Sequence, residues 1–184
     1  FSESSNHPNK QDMLNIEDYL FFVFATDAMN FCFWIYDFEY EHLTAFLKEK
    51  IKSGQLSVSA MLSMSNEDFK AIFGELFNHD SRDQLDERHR VLREAAEIVT
   101  ADYNSSFKKL ILDADMDADK LLKLITQKLT SFQDHCIYKG RQVFFYKRAQ
   151  ILVADLSEAL KAINAYKSSL SAEDAEFVDA HNFK

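Results

Sequence analysis

Phe144-Phe145-Tyr146-Lys147-Arg148-Ala149-Gln150-Ile151-Leu152-Val153-Ala154-Asp155 sets two adjacent cations between an aromatic triplet and an apolar run. Beyond the cations, Ile151, Leu152, Leu156, Ala159, Leu160 and Ile163 recur at spacings of three and four. That spacing predicts a helix that starts near Tyr146 and buries one stripe. Just upstream, Ile137-Tyr138, a Lys139-Gly140 turn and Val143-Phe144-Phe145 predict a small hairpin over 137–145 leading into it. Lys147 and Arg148 then fall in the helix's first turn, where cations oppose the macrodipole. Local helix energetics give no reason for them. Two readings stay open: side chains that snorkel to solvent from a buried helix end, or an anion or polar-ligand site at the mouth of a core.

Working outward, every other strong pattern is helical. Asn15 has an acid, Asp18, three residues on, and an almost wholly apolar helix follows through Met29. Such a helix should cross the middle of a domain and carry Asp27 and Asn30 into its interior, where polar groups need partners or a ligand. Tyr40, Leu43, Phe46, Leu47 and Ile51 mark a second helix closed by Gly54. Ser65-Asn66-Glu67-Asp68 is a capping box for a third, through about Phe77. A loop over 78–83 precedes a helix with Leu85, Leu92, Ala96 and Val99 as its stripe. Ser105 or Ser106 starts a short helix carrying Phe107, Leu110 and Ile111, and Asp117 caps another with Leu121, Leu122, Ile125 and Leu129 on its buried side. The acidic run 113–119 lacks the turn glycine and twelfth-position glutamate of a calcium loop.

A chain of 184 residues has the length of one domain and can bury roughly 70% of its unfolded surface. With 17 Phe and 7 Tyr against 3 Gly and 1 Pro, the composition favours a helical globule, expected as a single domain over 1–184 behind a loose lead-in at 1–12. The net charge of −9, with no long basic cluster, argues against a duplex nucleic acid partner. Cys32 and Cys136 sit in apolar company and read as reduced core thiols. Together with the lack of a membrane-length apolar run, they point to a cytoplasmic protein. No spacing of His, Cys or acids suggests a metal, and no cofactor is expected. Kinase, P-loop and dinucleotide-binding classes are excluded by the want of a Gly-rich phosphate loop, and a serine hydrolase by the want of a nucleophile elbow.

The segment Tyr146 to Leu156 resembles the signature of the queuosine salvage family, the queuosine 5′-phosphate N-glycosylases. Four further segments resemble that family in the same order: 27–34 (Asp-Ala-Met-Asn-Phe-Cys-Phe-Trp), 38–43 (Phe-Glu-Tyr-Glu-His-Leu), 87–92 (Glu-Arg-His-Arg-Val-Leu) and 131–134 (Ser-Phe-Gln-Asp). The resemblance runs from about Asn6 to Leu156, while 157–184 diverges. It implies an all-α fold similar to the helical DNA glycosylases, with at most the one hairpin.

The activity so implied is hydrolysis of the N-glycosidic bond of queuosine 5′-phosphate, releasing queuine for reuse in tRNA modification. By resemblance, Lys147 corresponds to the family's active-site lysine, and His7 to a pocket histidine. Asn30, Phe31 and Trp34 border the site, with Phe31 and Trp34 as walls for a flat heterocycle; Asp27 and Arg148 complete the expected binding set, and one of Arg88 and Arg90 turns inward. The family's catalytic aspartate lies in a Phe-Ala-Asp-Tyr motif some thirty residues beyond its lysine, and that motif is absent here. Asp134 is the candidate carboxylate in its place, with Asp179 a weaker substitute. The alternative is a truncated or non-catalytic helical module of the same family that binds a queuine-like ligand or a protein partner.

Overall fold

Asn15 starts the helix on which the rest of the chain packs. Its Oδ1 accepts the Asp18 N–H at 2.9 Å and its side-chain amide donates to the Asp18 carboxylate at 2.7 Å, as the Asn-x-x-acid spacing predicts. Helix α1, Ile16–Met29, buries twelve of its fourteen residues, so it is enclosed by neighbours on all sides. In this computed structural model, which describes residues 15–32, 39–77 and 84–179, the chain is all-α apart from one hairpin. The sequence-predicted loop over 78–83 lies outside the described residues.

Four helices enclose α1: α2 (Tyr40–Lys52), α5 (Leu85–Tyr103), α6 (Phe107–Asp113) and α8 (Lys147–Asn164). Phe24 meets Phe107 of α6 at 5.2 Å between ring centroids, and Phe132 at 5.3 Å. Polar groups fix the register of the α1–α6 pair. The Glu17 carboxylate accepts from Ser106 Oγ at 2.5 Å and from the Phe107 N–H at 2.8 Å, satisfying an amide at the start of α6 that the helix itself cannot.

On the far side of α5 pack α3 (Val58–Ser63) and α4 (Asn66–Phe77). Phe69 and Phe73 of α4 stack at 4.1 Å, extended by Phe46 from α2 and His89 from α5. Helix α3, capped by Ser57, is an element that the sequence pattern did not predict. The expected caps at Ser65, Ser106 and Asp117 are present, each side-chain oxygen accepting a backbone N–H three residues on. Helix α7 (Ala118–Lys128) packs on α8, as does α9 (Ala172–Asp179) through buried Phe177 and Val178. Lys108 ties α9 to α6 through Asp174 at 2.9 Å and Glu173 at 3.2 Å.

Strands β1 (His135–Tyr138) and β2 (Arg141–Phe144) form the predicted hairpin, with Tyr138 opposite Arg141 across the turn. Lys139 and Gly140 both hold positive φ, 49° and 74°, as a two-residue turn matched to strand twist requires. All eight strand residues are exposed. The expectation of two core thiols is therefore corrected: Cys136 is exposed and Cys32 is half-buried, and neither forms a disulfide. The apolar neighbours of Cys136 belong to a ribbon that nothing in the described structure covers. No helix among the described residues is long and apolar enough to cross a membrane.

This layout separates two classes of phenylalanine. Phe24→Ala should cost about 3–5 kcal/mol by leaving a cavity between α1, α6 and Phe132, whereas Phe145→Ala, at an exposed position, should stay within about 0.5 kcal/mol. Urea denaturation of both variants checks the contrast; equal losses would mean that the ribbon packs on the core.

Candidate functional site

The head of α8 is built by Asp134. Tyr146, at the N-cap position, is left-handed (φ 47°, ψ 32°) and its side chain caps nothing. Asp134 supplies the missing acceptor: Oδ2 takes the Arg148 N–H at 2.9 Å while Oδ1 takes Arg148 Nε, also at 2.9 Å. A second guanidinium nitrogen donates to the Ser131 carbonyl. One carboxylate thus caps the helix and neutralises the cation that the macrodipole opposes. The 130–132 turn is held in place in its own right, since Glu94 of α5 accepts from the Thr130 N–H at 2.9 Å and the Ser131 N–H at 3.2 Å.

Phe31, just past the end of α1, meets two guanidinium groups. Arg148 lies 5.7 Å from its ring centroid and Arg88 lies 4.1 Å away. Arg88 is wholly buried, the most voluminous side chain to be so among the described residues. It donates to the Met29 carbonyl and, at 2.6 Å, to the Phe31 carbonyl, and its far side meets the Phe77 ring at 4.5 Å. The C-terminal carbonyls of α1 therefore receive a cation where the macrodipole favours one. Asn30 is the C-cap of that helix.

A second cluster lies where α1 faces α2 and α8. Asp27 is 3% exposed, and its Oδ2 has no hydrogen-bond partner among the described residues. Burial, reinforced by the negative charge of Asp155, pushes its carboxyl up to about 8, so at neutral pH it holds a proton. Tyr40 is raised by burial and by the charges of Asp27, Asp155 and Glu41, and Tyr19 is pushed up to about 12 by burial and Asp155. Asp155 sits on the exposed side of α8 with Lys147 and Ile151, one helical turn apart in succession. Lys147 makes no ion pair or hydrogen bond among the described residues.

Of the sequence-predicted residues, the structure joins Phe31, Asp134 and Arg148 in one contact network, sets Lys147 beside it in exposed position, and buries Asp27 against the Asp155 face. His7 and Trp34 lie outside the described residues. Asp179 is engaged by Lys167 on α9. Arg88, one of two arginines the sequence left undecided, turns inward, while Arg90 pairs with Glu87 on the surface. Tyr40 and Asp155 were missed, although Asp155 stands two helical turns from Lys147 and so shares its face. A shallow recess of about 590 Å³ elsewhere, between Asp102, Tyr103, Lys109, Leu112, Asp113 and Lys128, includes none of the predicted residues.

Because the folded protein keeps Asp27 protonated and the unfolded chain does not, its contribution to stability is fully present below about pH 4. It falls as pH rises from there towards about 8. Asp27→Asn should remove that dependence and be the more stable protein at pH 7. Denaturation of both proteins across this range checks it; parallel profiles would mean that Asp27 is ionised in the fold.

The sequence profile of the family described as queuosine salvage protein matches residues 6–171, fifteen residues beyond the end of the motif-based resemblance. The chain is 38% identical over 138 residues to a protein of Dictyostelium discoideum named queuosine 5′-phosphate N-glycosylase/hydrolase, covering 73% of this chain and 41% of that one. Relatives of the same name in Sphaerobacter thermophilus and Bos taurus are 35% and 32% identical over 149 and 155 residues, covering 73% and 76% of this chain. Of those two proteins the match covers 45% each, so the chain spans less than half the length of these curated relatives. With its motifs in order on one helical core and nearly its whole length matched, the chain belongs to the queuosine salvage protein family.

Proposed function

We propose that this chain provides the substrate-holding surface of a queuosine 5′-phosphate N-glycosylase, centred on the exposed side of α8. The observation that carries the reading is the common face of Lys147 and Asp155 in a chain whose relatives bear that name. Two helical turns put the two charges roughly 12 Å apart along the axis, about the span of a nucleoside monophosphate. A phosphate at one end and a ribosyl–base bond at the other need opposite charges.

In the reaction, the electron pair of the C–N bond leaves with the base, positive charge develops on the ribose, and water adds to the anomeric carbon as its proton passes to the departing base. Lys147 receives the 5′-phosphate. A carboxylate facing the sugar stabilises the oxocarbenium-like transition state, and Asp155 is positioned for this. Asp27, held neutral, can donate a hydrogen bond to an acceptor on the base, so two carboxyl groups in unlike environments take unlike roles. Asp134 acts through Arg148, whose planar cation it fixes against Phe31 and Phe132. It is a positioning residue in this scheme. His7 and Trp34 remain candidates for the pocket wall, and the two unpaired thiols support a reducing, cytoplasmic setting.

Calorimetric titration with queuine and queuosine 5′-phosphate, followed by chromatography for released base, tests the reading. Binding with release supports it in full. Binding without release would reassign the chain as a ligand-holding module, and neither would overturn it. Lys147→Ala should keep the fold and weaken binding of the 5′-phosphate roughly tenfold to a hundredfold while changing queuine binding little; equal affinity of wild type and variant for the 5′-phosphate would remove the residue from the site.

A further inference from the structure

Seven large apolar residues are exposed among those described, and all but Leu112 fall between residues 137 and 151. The register puts Ile137, 69% exposed, and Phe144 on one face of the ribbon and Tyr138, 62% exposed, and Val143 on the other, while Phe145 and Ile151 add exposed apolar surface at the junction with α8 and along its outer side. A two-stranded ribbon with both faces in water is marginal by itself, and an apolar patch of this kind marks an interface. The patch also has a charge. Lys139, Arg141 and Lys147 stand on it without an ion pair among the described residues, while of the acids near it Asp134 is taken by Arg148 and Asp155 lies at its edge.

We infer that the ribbon, on both its faces, and the outer side of α8 beside it seat the part of the family polypeptide that the present chain does not span, through a surface that is apolar and acidic. Two observations commit the patch to that occupant. More than half of the length of the Dictyostelium discoideum relative is unmatched, so the family has a large body of polypeptide to place. A second copy docked on the same surface would gather Lys139, Arg141 and Lys147 of both copies with only Asp155 of each to offset them, an excess of like charge that is unfavourable in a symmetric contact. The patch includes Lys147 and adjoins Asp155, so the occupant closes over the exposed side of α8. The inference does not depend on which ligand that side holds, because assembly is measured with none present.

The test is co-expression of the full 184-residue chain with the unmatched portion of the Dictyostelium discoideum relative, followed by affinity capture and titration of the two purified pieces. Wild type and the Leu112→Asp control should be captured alike. The Val143→Asp/Phe145→Asp variant should bind at least tenfold more weakly, with an unchanged thermal melt because both positions are exposed. Lys139→Glu/Arg141→Glu, which leaves the apolar surface intact, should also weaken binding and do so most at low salt. Absence of a complex with wild type, equal capture of both variants, or a wild-type homodimer abolished by Val143→Asp/Phe145→Asp would each overturn the inference.

Discussion

A guanidinium group with no access to water sits at the centre of this structure, and the ends of three elements depend on it. Burying a cation is costly unless its donors and its charge are both met. Arg88 meets the terminal carbonyls of α1 and the faces of Phe31 and Phe77, so the start of α5, the end of α1 and the end of α4 are fixed together. Phe31 passes the constraint on to Arg148, and Arg148 to Asp134 and the head of α8. The Phe31 ring is thus shared by two like charges.

Much of this was legible in the residues, for reasons that differ by element. Side-chain caps act within three residues, so Asn15, Ser65, Ser106 and Asp117 could be read locally and stand where expected. The hairpin was legible because Gly140 accepts the positive φ that its turn demands. Helix α3 escaped because six residues do not complete two turns, and no stripe can be recognised in so short a window. The choice of Arg88 over Arg90 had a signal that went unread: Arg88 lies three residues after Leu85 and four before Leu92, squarely on the apolar stripe.

The long-range relations were not legible. Asp27 could be placed inside the domain because its helix is apolar all round, yet nothing near it in sequence reveals Asp155 or Tyr40 as its surroundings. Cys136 shows the opposite failure, since apolar neighbours imply burial only where another layer covers them. What distinguishes the two cases is tertiary: α1 is enclosed by four helices, and the ribbon by none among the described residues. Chemistry at the α1–α8 boundary follows from that difference. One carboxyl group is kept from water while another, on the facing helix, remains in it.

The enclosure of α1 also has a history during synthesis. Its most extensive partner, α8, starts only at Lys147, far downstream of Met29, and at ribosomal elongation rates it emerges on the order of ten seconds later. Throughout that interval α5 and α6 can offer only part of the cover, and a strip of Phe, Leu and Val remains open beside the exit tunnel. Around α1 the nascent chain is thus more adhesive before α8 emerges than after it. Shielding by a holdase would matter most for α1 in that interval, although in the folded molecule it is the least accessible of the described helices.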